Sequence, residues 1–403
     1  MVNIVIKITN LSLIAGPPPE PRPWHVFDDS LALEAFSVLS YNILCDKYAT
    51  TAQYGYTPSQ ALDWDYRCKL ILEEVKQYDA DFVCLQELDQ ENFSEVFRSE
   101  LAYHDYKGYF SPKTRAKTMT ESKAMTVDGC ATFWKGSKYI CLNKEMIDLA
   151  TIAINRPDMK GEHDVFNRVM TKDNIAVVTF FENRQTGSRF IVVNAHIFWD
   201  PLFDDVKLVQ VAILMEQVAK FAEKCAQHPP CLDKTPFRHS EMDDDSRSTS
   251  PERPPTPAPS VEYASATQIP LLICGDFNSS GDSGVYELIT QGSVAPDHCA
   301  FGDRKYGNFT RDGIAHQFSM RSAYNGTDEL SFTNYTPNFS GMLDYIWYSS
   351  NALQVRGVLG DVDMEYLRRV PGFPNHHFPS DHLPIKAEFA VKTRKEQGSH
   401  ALR

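Results

Sequence analysis

The sequence predicts a mixed α and β domain in which short buried strands alternate with amphipathic helices. Eight short apolar runs are typical of strands, and many are bounded by turn residues. Three longer segments, 62–78, 90–101 and 204–226, repeat apolar residues at intervals of three and four, which indicates helices. The 403 residues are 42% hydrophobic and 12% aromatic, so the chain can bury a large core. We expect a soluble globular protein.

The predicted elements follow one another along the chain without an internal repeat. The strand runs are rich in β-branched and aromatic residues, which suit a pleated surface. The first helix falls between the first two strands, the second after the second strand, and the third between the fifth and sixth. In chain order the strand runs are AFSVLSYNIL, DFVCLQEL, GCATFWK, NIAVVTFF, RFIVVNAHIF, LLICGDFN, MLDYIWYS and IKAEFAV.

Two stretches interrupt this pattern. The run PPPEPRP is typical of a stiff linker, so residues 1–34 are predicted to be an N-terminal tail. Residues 228–266 contain eight of the 24 prolines and few apolar residues, which indicates a disordered segment. A predicted helix leads into this segment and a predicted strand leads out of it. We therefore expect an insertion within one domain, 35–392, followed by a C-terminal tail, 393–403.

Composition limits the compartment and the partners. The nine cysteines are scattered without a Cys-x-x-Cys pair, which favours a reducing compartment, and we expect the cytoplasm, with the nucleus as a second location. No window approaches the roughly 18 apolar residues of a membrane span, so no membrane partner is expected. The net charge of −13 means that any nucleic acid must be held locally, by bound cations or a small basic patch.

Polar residues recur where the predicted strands end. Asp276 and Asn278 follow one apolar strand at alternate positions, so their side chains would project to the same side. Taken alone, this pair is more typical of a turn. The pattern is repeated, however, at Asn42, Glu87, His196 and Asp344, and at Asp381 and His382 before the last strand. Carboxylates, amides and histidines at one sheet edge suit a hard divalent cation, and they predict metal-assisted cleavage of a phosphate ester.

These residues stand in motifs that resemble a known superfamily. SYNIL, LQEL, NAHIFWDP, GDFNS, LDYIWYS and SDHLPI follow, in order, the motifs of the exonuclease–endonuclease–phosphatase superfamily of magnesium-dependent phosphodiesterases. SYNILCDKYAT, YGYTPSQALDWDYR and HIFWDP resemble its poly(A) deadenylase branch, of the carbon-catabolite-repressor type found as the nuclease subunit of the Not deadenylase complex. The resemblance implies an α+β fold with a single domain. Two packed mixed β-sheets would be flanked by helices in a four-layer α/β/β/α sandwich.

The resemblance also implies a metal site. Glu87 would bind one Mg²⁺, with Asn42 supporting that site, and a second ion would lie between the Asp276–Asn278 pair and His382. Asp381 would complete the metal and phosphate surroundings. Mn²⁺ is expected to substitute for Mg²⁺.

Catalytic roles follow from the same resemblance. Asp276 would orient and deprotonate the attacking water, and Asn278 would hold a phosphate oxygen. His196 would donate to the phosphate as charge builds on it. Asp344 would fix the tautomer of His382. Each residue alone also has an ordinary structural explanation, such as a cap, a turn or a bonded core histidine.

The resemblance implies the substrate as well. Pro201 and Phe339 match positions that sandwich the 3′-terminal adenine in the deadenylases. The expected reaction shortens single-stranded poly(A) from its 3′ end and releases 5′-AMP. The typical nuclease of this type also carries an upstream leucine-rich repeat domain that docks to the Not complex. No such repeat is visible in residues 1–34, which leaves that partner open.

Other functions remain as alternatives. A dinucleotide or 2′-phosphate phosphatase and a DNA-repair endonuclease share the expected fold, although the endonuclease should be more basic. A catalytically inactive scaffold of a deadenylase complex is a third alternative, disfavoured by the complete set of motif residues. The run NHHFPSDH could be taken for a zinc site, but it lacks a cysteine partner and the usual histidine spacing.

Overall fold

A computed structural model describes residues 16–235, 256–324 and 330–393. The described residues form seventeen strands, which alternate with helices as the sequence predicts. In chain order the strands are Trp24–Val26 (β1), Ala35–Asn42 (β2), Phe82–Asp89 (β3), Tyr106–Pro112 (β4), Asp128–Lys135 (β5), Tyr139–Asp148 (β6), Ile175–Asn183 (β7), Arg189–His196 (β8), Leu271–Asp276 (β9), Ser293–Val294 (β10), Ile314–Ala315 (β11), Met320–Ser322 (β12), Asn334–Thr336 (β13), Phe339–Gly341 (β14), Asp344–Ser349 (β15), Leu353–Leu359 (β16) and Ile385–Val391 (β17).

Of the ten α-helices in the described residues, Trp64–Tyr78 and Asp204–Ala226 are long. The α-helices are Ser59–Leu62 (α1), Trp64–Tyr78 (α2), Gln90–Asn92 (α3), Arg98–Ala102 (α4), Glu121–Met125 (α5), Leu149–Asn155 (α6), Asp204–Ala226 (α7), Gly284–Gln291 (α8), Asn308–Arg311 (α9) and Met364–Leu367 (α10). A π-helical turn, Phe93–Phe97, joins α3 to α4, and a second one covers Val165–Val169. Short 3₁₀ turns lie at Asp46–Tyr48, Thr114–Thr118, Pro157–Met159, Pro201–Phe203, Ala266–Gln268 and Cys299–Phe301.

Two mixed sheets form the centre of the molecule. One has seven strands in the order β1-β16-β17-β2-β3-β5-β4, and the other has six in the order β12-β15-β9-β8-β7-β6. Each contains one parallel pair, β2 with β3 and β8 with β9, and its other pairs are antiparallel. Two small two-stranded sheets, β10-β11 and β13-β14, lie beside them.

The buried side chains show how the layers stack. Phe36 and Phe82 of the seven-stranded sheet pack with Phe181 and Phe190 of the six-stranded sheet in one apolar cluster. A second cluster joins the outer face of the seven-stranded sheet to α2, and a third joins the six-stranded sheet to α7 and α8. Strands β7 and β8 are buried at every residue because both faces of their sheet are covered. The fold is therefore the expected four-layer α/β/β/α sandwich.

Helix ends follow local sequence signals. Asp63 caps the N-terminus of α2 by accepting a hydrogen bond from the Tyr66 amide at 3.2 Å. In α7, Asp204 and Asp205 lie in the first turn and Lys224 lies in the last, which complements the helix dipole. All three predicted helices and all eight predicted strands are present. Of the strands longer than three residues, β4, β6 and β16 were not predicted, because they are more polar or more exposed along their length.

The chain boundaries differ in detail from the prediction. Strand β1 pairs with β16, so the folded part begins before residue 35, and Arg22 donates hydrogen bonds to the carbonyls of Gly360 and Pro384. Residues 236–255 of the predicted insertion lie outside the described residues, as do residues 394–403 of the predicted C-terminal tail. The described flanks of the insertion make specific contacts. The Lys234 ammonium lies 2.7 Å from the Glu182 carboxylate, and the Ala258 amide donates to the Gln185 carbonyl at 2.8 Å.

None of the helices in the described ranges is long and apolar enough to cross a membrane.

Candidate active site

The predicted polar residues meet at one end of the two sheets. In the six-stranded sheet, His196 of β8 pairs with Asp276 of β9, and Asp276 pairs with Asp344 of β15. In the seven-stranded sheet, Asn42 at the end of β2 lies beside β3, where Glu87 follows its register partner. Because both parallel pairs present their carboxyl ends at the same edge, five side chains from two sheets converge.

Glu87 occupies an irregular position in β3. The register of β3 against β5 shifts between Gln86 and Leu88, so Glu87 is the extra residue of a bulge, and its φ is +62°. A non-glycine residue in this region carries backbone strain of about 1–3 kcal/mol, which surrounding contacts must offset. The Cys45 amide donates to Glu87 Oε2 at 2.9 Å and Asn42 Nδ2 donates to Oε1 at 3.2 Å. The bulge thus aims a carboxylate into the site and fixes both of its oxygens.

Asp276 lies at the centre of the site. Asn42 Nδ2 donates to Asp276 Oδ2 at 2.9 Å, so one amide bridges the carboxylates of Asp276 and Glu87. The Asn278 amide donates to Asp276 Oδ1 at 2.9 Å. Nε2 of His196 and Nε2 of His382 each lie 3.7 Å from Oδ2. Burial, and then the neighbouring Asp344 carboxylate, raise the pKa of Asp276 to about 7.

The chain path brings Asp276 and Asn278 to the same space by two unusual backbone conformations. Gly275 has a φ of +145°, and a Cβ there would lie 1.9 Å from the carbonyl oxygen of Ala195 on β8. Only glycine allows β8 and β9 to approach this closely. Asn278 has a φ of +48°, and its Nδ2 donates to the Ile197 carbonyl at 3.0 Å. The strand that carries Asp276 is therefore tied to the strand that carries His196.

Asp344 and His382 form a buried pair. His382 Nδ1 lies 2.6 Å from Asp344 Oδ2, and the Asp344 amide donates to Thr333 Oγ1 at 3.0 Å. Burial lowers the pKa of His382, but the carboxylates of Asp344 and Asp276 outweigh it, and the net effect raises that pKa well above its ordinary value. The pair can therefore present a proton on His382 Nε2 to the centre of the site.

His196 behaves in the opposite way. Burial, and then the nearby Lys113 ammonium, hold the pKa of His196 well below its ordinary value. Its carbonyl accepts from Asn174 Nδ2 at 3.0 Å, which fixes the backbone at the end of β8. His196 is thus a neutral hydrogen-bonding group, whereas His382 is a cationic one. The two histidines lie on either side of the same carboxylate oxygen.

The donor set fits a divalent metal ion. Ligand atoms of Asp276, Asp344 and His382 lie within 4.8 Å of one another, and all three residues are buried. Within the described part of the chain, Asp344 Oδ1 and His196 Nδ1 have no hydrogen-bond partner although both are buried. The buried carboxylates of Asp276 and Asp344 and the partly buried carboxylate of Glu87 lie together, so a bound cation would relieve their mutual repulsion.

Asp381 lies beside the site, where its charge acts on Glu87 and His382. Its Oδ2 accepts hydrogen bonds from Tyr54 Oη at 2.9 Å and from Asn334 Nδ2 at 3.1 Å, and its carboxylate is not part of the three-residue metal group. The backbone of Asn334 also forms an isolated antiparallel β-bridge with the backbone of His382. Asp381 therefore connects the loop of Tyr54 and strand β13 to the catalytic end of the sheets. The sequence analysis missed Tyr54 and Asn334, because neither follows an apolar run.

A second missed group lies beside the site. The Lys113 ammonium is 2.7 Å from Asp128 Oδ2, and Lys47 and Arg115 also pair with Asp128. These three cations hold the pKa of the buried Asp128 well below its ordinary range, against the effect of burial. Lys113 also acts on Glu87 and His196 through its charge. The four residues are spread over positions 47 to 128, and β4, which Lys113 follows, was not predicted, so no sequence spacing indicates the cluster.

The two residues expected at the terminal base are both exposed. Pro201 begins the short 3₁₀ turn after β8 and is exposed. Phe339 begins β14 and is 44% exposed. Its hairpin partner β13 contains Asn334, which forms the bridge with His382. Both apolar groups therefore stand on segments anchored to the catalytic end, with their surfaces available to a ligand.

The four-layer fold and the acidic, histidine-containing edge define a class of protein. The chain belongs to the Endonuclease/Exonuclease/phosphatase family, whose family model matches residues 39–382. Within that range lie Asn42, Glu87, His196, Asp276 and His382.

Curated relatives with high sequence identity share one name. The chain is 60% identical over 387 residues to the "CCR4-Not complex 3'-5'-exoribonuclease subunit Ccr4" of Phaeosphaeria nodorum, a match that covers 95% of this chain and 64% of that protein. It is 56% identical to the protein of the same name from Coccidioides immitis, over 94% of this chain and 51% of that protein. The chain therefore spans between half and two thirds of the length of these relatives.

A solved structure supports the fold. ANGEL2, described as a 2′,3′-cyclic phosphatase, superposes with a TM-score of 0.67 at 22% sequence identity, covering 92% of this chain and 98% of that chain. At this identity the likeness concerns the arrangement of strands and helices alone.

Proposed function

We propose that the chain is a Mg²⁺-dependent 3′-to-5′ exoribonuclease that shortens poly(A) and releases 5′-AMP. The observation that carries the proposal is the placement of Asp276 Oδ2, with Nε2 of His196 and of His382 each 3.7 Å away. A carboxylate that can accept a proton thereby lies between two histidine side chains. The relatives at 60% and 56% identity, both named as exoribonucleases, support the choice of RNA.

Two groups of residues would hold the metal ions. Glu87, supported by Asn42, would bind one ion, and Asp276, Asn278 and His382 would surround a second, with Mn²⁺ able to replace Mg²⁺. Oxygen donors predominate in both sets, which is what Mg²⁺ prefers. Bound ions would act as Lewis acids that neutralise charge on the phosphoryl oxygens.

The chain's own residues account for proton transfer and charge stabilisation. Asp276 accepts the proton of the attacking water, a role suited to its raised pKa of about 7. Asn278 and the neutral His196 donate hydrogen bonds to the phosphoryl oxygens as negative charge develops there. Asp344 accepts the Nδ1 proton of His382 and fixes its tautomer, so that Nε2 faces the second ion and the phosphate. Asp381 stabilises the segment that carries His382 through its bonds to Tyr54 and Asn334.

Two exposed residues would select the terminal nucleotide of the substrate. Pro201 and Phe339 would sandwich the terminal adenine, and stacking on an aromatic face contributes about 1–3 kcal/mol per base. Adenine preference also needs polar contacts to the base edge, because stacking accepts any base. The Not complex is the proposed partner, since the relatives are named as its subunits. The cytoplasm and the nucleus remain predictions, supported by nine cysteines that are all free.

The test is digestion of two 5′-labelled RNAs, one ending in an adenosine run and one in a cytidine run, with Mg²⁺ or with EDTA. The proposal predicts stepwise shortening of the adenosine tail, with 5′-AMP as product, and loss of activity in EDTA and in Asp276→Ala. Thr179→Val is the matched control, because it removes a buried polar group away from the site. If folded, Mg²⁺-supplied protein shortens neither RNA, the proposal fails, and a dinucleotide phosphatase or an inactive scaffold takes its place.

A further inference from the structure

We propose that Trp199 and Lys172 form a second nucleotide subsite, which holds single-stranded RNA upstream of the terminal adenosine. This inference rests on the proposed function and extends it from one nucleotide to a longer stretch of the substrate. Trp199 stands within the motif HIFWDP but has no assigned role there, and Lys172 lies outside the motifs.

Trp199 is exposed in a way that its chemistry disfavours. The side chain is 67% exposed, whereas Trp134 and Trp347 are 5% and 0% exposed. Leaving so large an apolar surface in water is unfavourable unless a partner covers it. The indole presents a flat face that suits a nucleobase.

The loop that carries Trp199 is fastened to the catalytic centre. The Ile197 amide donates to the Asp276 carbonyl at 2.9 Å, and the Ile197 carbonyl accepts from Asn278 Nδ2 at 3.0 Å. The Phe198 amide donates to Gln210 Oε1 at 2.9 Å. Trp199 therefore begins only two residues from a backbone position bonded to both Asp276 and Asn278. The backbone that leads to the indole is therefore held against the site by hydrogen bonds.

Lys172 supplies a positive charge to the aromatic cluster that includes this indole. Its ammonium lies 4.2 Å from the ring centroid of Phe198 and 4.4 Å from that of Phe203. The Phe198 ring lies 6.1 Å from the Trp199 ring, so one aromatic cluster carries both the exposed indole and the cation. A nucleotide needs a stacking face and a charge for its phosphate, and both are present here.

The charge of Lys172 is not neutralised by a direct ion pair. No carboxylate in the described ranges lies within 4.0 Å of its ammonium. The nearby Asp205 is occupied by Arg168, with Nε to Oδ2 at 2.7 Å, and Asp200 accepts a hydrogen bond from the Leu202 amide at 2.9 Å. Lys172 can therefore bind a backbone phosphate. In a chain of net charge −13, such a local cation is what a nucleic acid requires.

The experiment compares substrates of different length. Wild-type protein, Trp199→Ala, Trp199→Phe and Lys172→Ala are assayed for kcat/KM on the dinucleotide ApA and on an eight-adenosine RNA. Trp24→Ala is the matched control, because Trp24 is also exposed but lies on the edge strand β1. Binding of the eight-adenosine RNA is measured separately in EDTA by quenching of tryptophan fluorescence.

The subsite predicts an effect that depends on length. Trp199→Ala should lower kcat/KM on the long RNA by about 5- to 150-fold, the equivalent of one lost stacking contact, and leave the dinucleotide within about twofold of wild type. Trp199→Phe should recover most of the loss. Lys172→Ala should weaken binding of the long RNA and reduce its salt slope by about 0.7, the value for one phosphate contact to a single strand.

Two results would overturn the subsite. Equal losses on both substrates would show that Trp199 only stabilises the site, and no loss on the long RNA would remove Trp199 from RNA binding. Failure of the proposed function is distinguishable, because wild-type protein would then cleave neither RNA. In that case the quenching titration still decides: equal quenching in wild type and Trp199→Ala, or none in either, excludes the subsite.

Discussion

A buried amide pair between the sheets sets the spacing of the candidate site. Gln86 Nε2 of β3 donates to Asn194 Oδ1 of β8 at 2.8 Å, and Asn194 Nδ2 donates to the carbonyls of Leu85 at 3.1 Å and Ala131 at 2.9 Å. Both amide residues are 0% exposed. Gln86 immediately precedes Glu87, and Asn194 lies two residues before His196. The pair thus links the sheet that carries Glu87, a predicted metal ligand, to the sheet that carries His196, which is predicted to donate a hydrogen bond to the phosphate.

Asn194→Ala removes three hydrogen bonds at once. At about 0.5–1.5 kcal/mol for each bond, the loss of unfolding free energy should be about 2–4 kcal/mol. Released from this restraint, the two sheets can shift at the site, and a displacement of about 1 Å can lower a rate about 100-fold. We therefore expect Asn194→Ala to lose at least tenfold in kcat while it remains folded.

Urea denaturation and single-turnover kinetics measure the two effects. A double-mutant cycle with Gln86→Ala isolates the direct bond between the amides, with an expected coupling of about 1 kcal/mol. Thr179→Val is the control for general destabilisation, because it loses one buried bond, to the Val192 carbonyl at 2.9 Å, and should keep full activity. A coupling near zero, or a kcat for Asn194→Ala equal to that of Thr179→Val, would refute the reasoning.

Two further variants test other parts of the structure. Tyr54→Phe removes the hydrogen bond to the Asp381 carboxylate and should lower the free energy of unfolding by about 1.5–3 kcal/mol and the activity several-fold. Tyr56→Phe loses only a hydrogen bond to a backbone carbonyl and should keep its activity. Equal effects of the two variants in urea melts and rate assays would contradict this. Burial raises the pKa of Glu74, bonded to Tyr41 Oη at 3.0 Å, to about 7. Since the unfolded chain ionises first, near pH 4.3, this carboxyl lowers stability as pH rises from about 4.3 to about 7. Glu74→Gln should therefore match wild type in thermal melts at pH 4 and exceed it by about 3–4 kcal/mol at pH 8, and a gain that is the same at both values would refute the assignment.

The sequence predicts the candidate site where a strand delivers its residue directly. Asp276, His196 and Asp344 end or begin buried strands, and neighbouring strands in a sheet bring their ends together by geometry alone. Glu87 and Asn278 were identified from motifs, but their left-handed backbone and the bulge at Glu87 depend on tertiary contacts that no local pattern contains. Their positions are therefore predictable, whereas their conformations are not.

Residues that support the site from loops were harder to identify. Tyr54 and Asn334 reach Asp381 across more than 40 positions of sequence, so neither spacing nor apolar periodicity connects them. Strand β1 was missed for a related reason. Three residues after a proline-rich run carry too little pattern to indicate a strand, and their pairing with β16 is decided by the exposed sheet edge.

We propose that these strand ends assemble a divalent metal site for phosphodiester hydrolysis. Crystals soaked in Mn²⁺, measured at a wavelength where manganese scatters anomalously, locate the ion directly. We expect an anomalous peak about 2.2 Å from a Glu87 carboxylate oxygen, absent in Glu87→Gln, and a second peak among Asp276, Asn278 and His382. A fully occupied Mn²⁺ elsewhere on the protein, with none at Glu87 or Asp276, would contradict it.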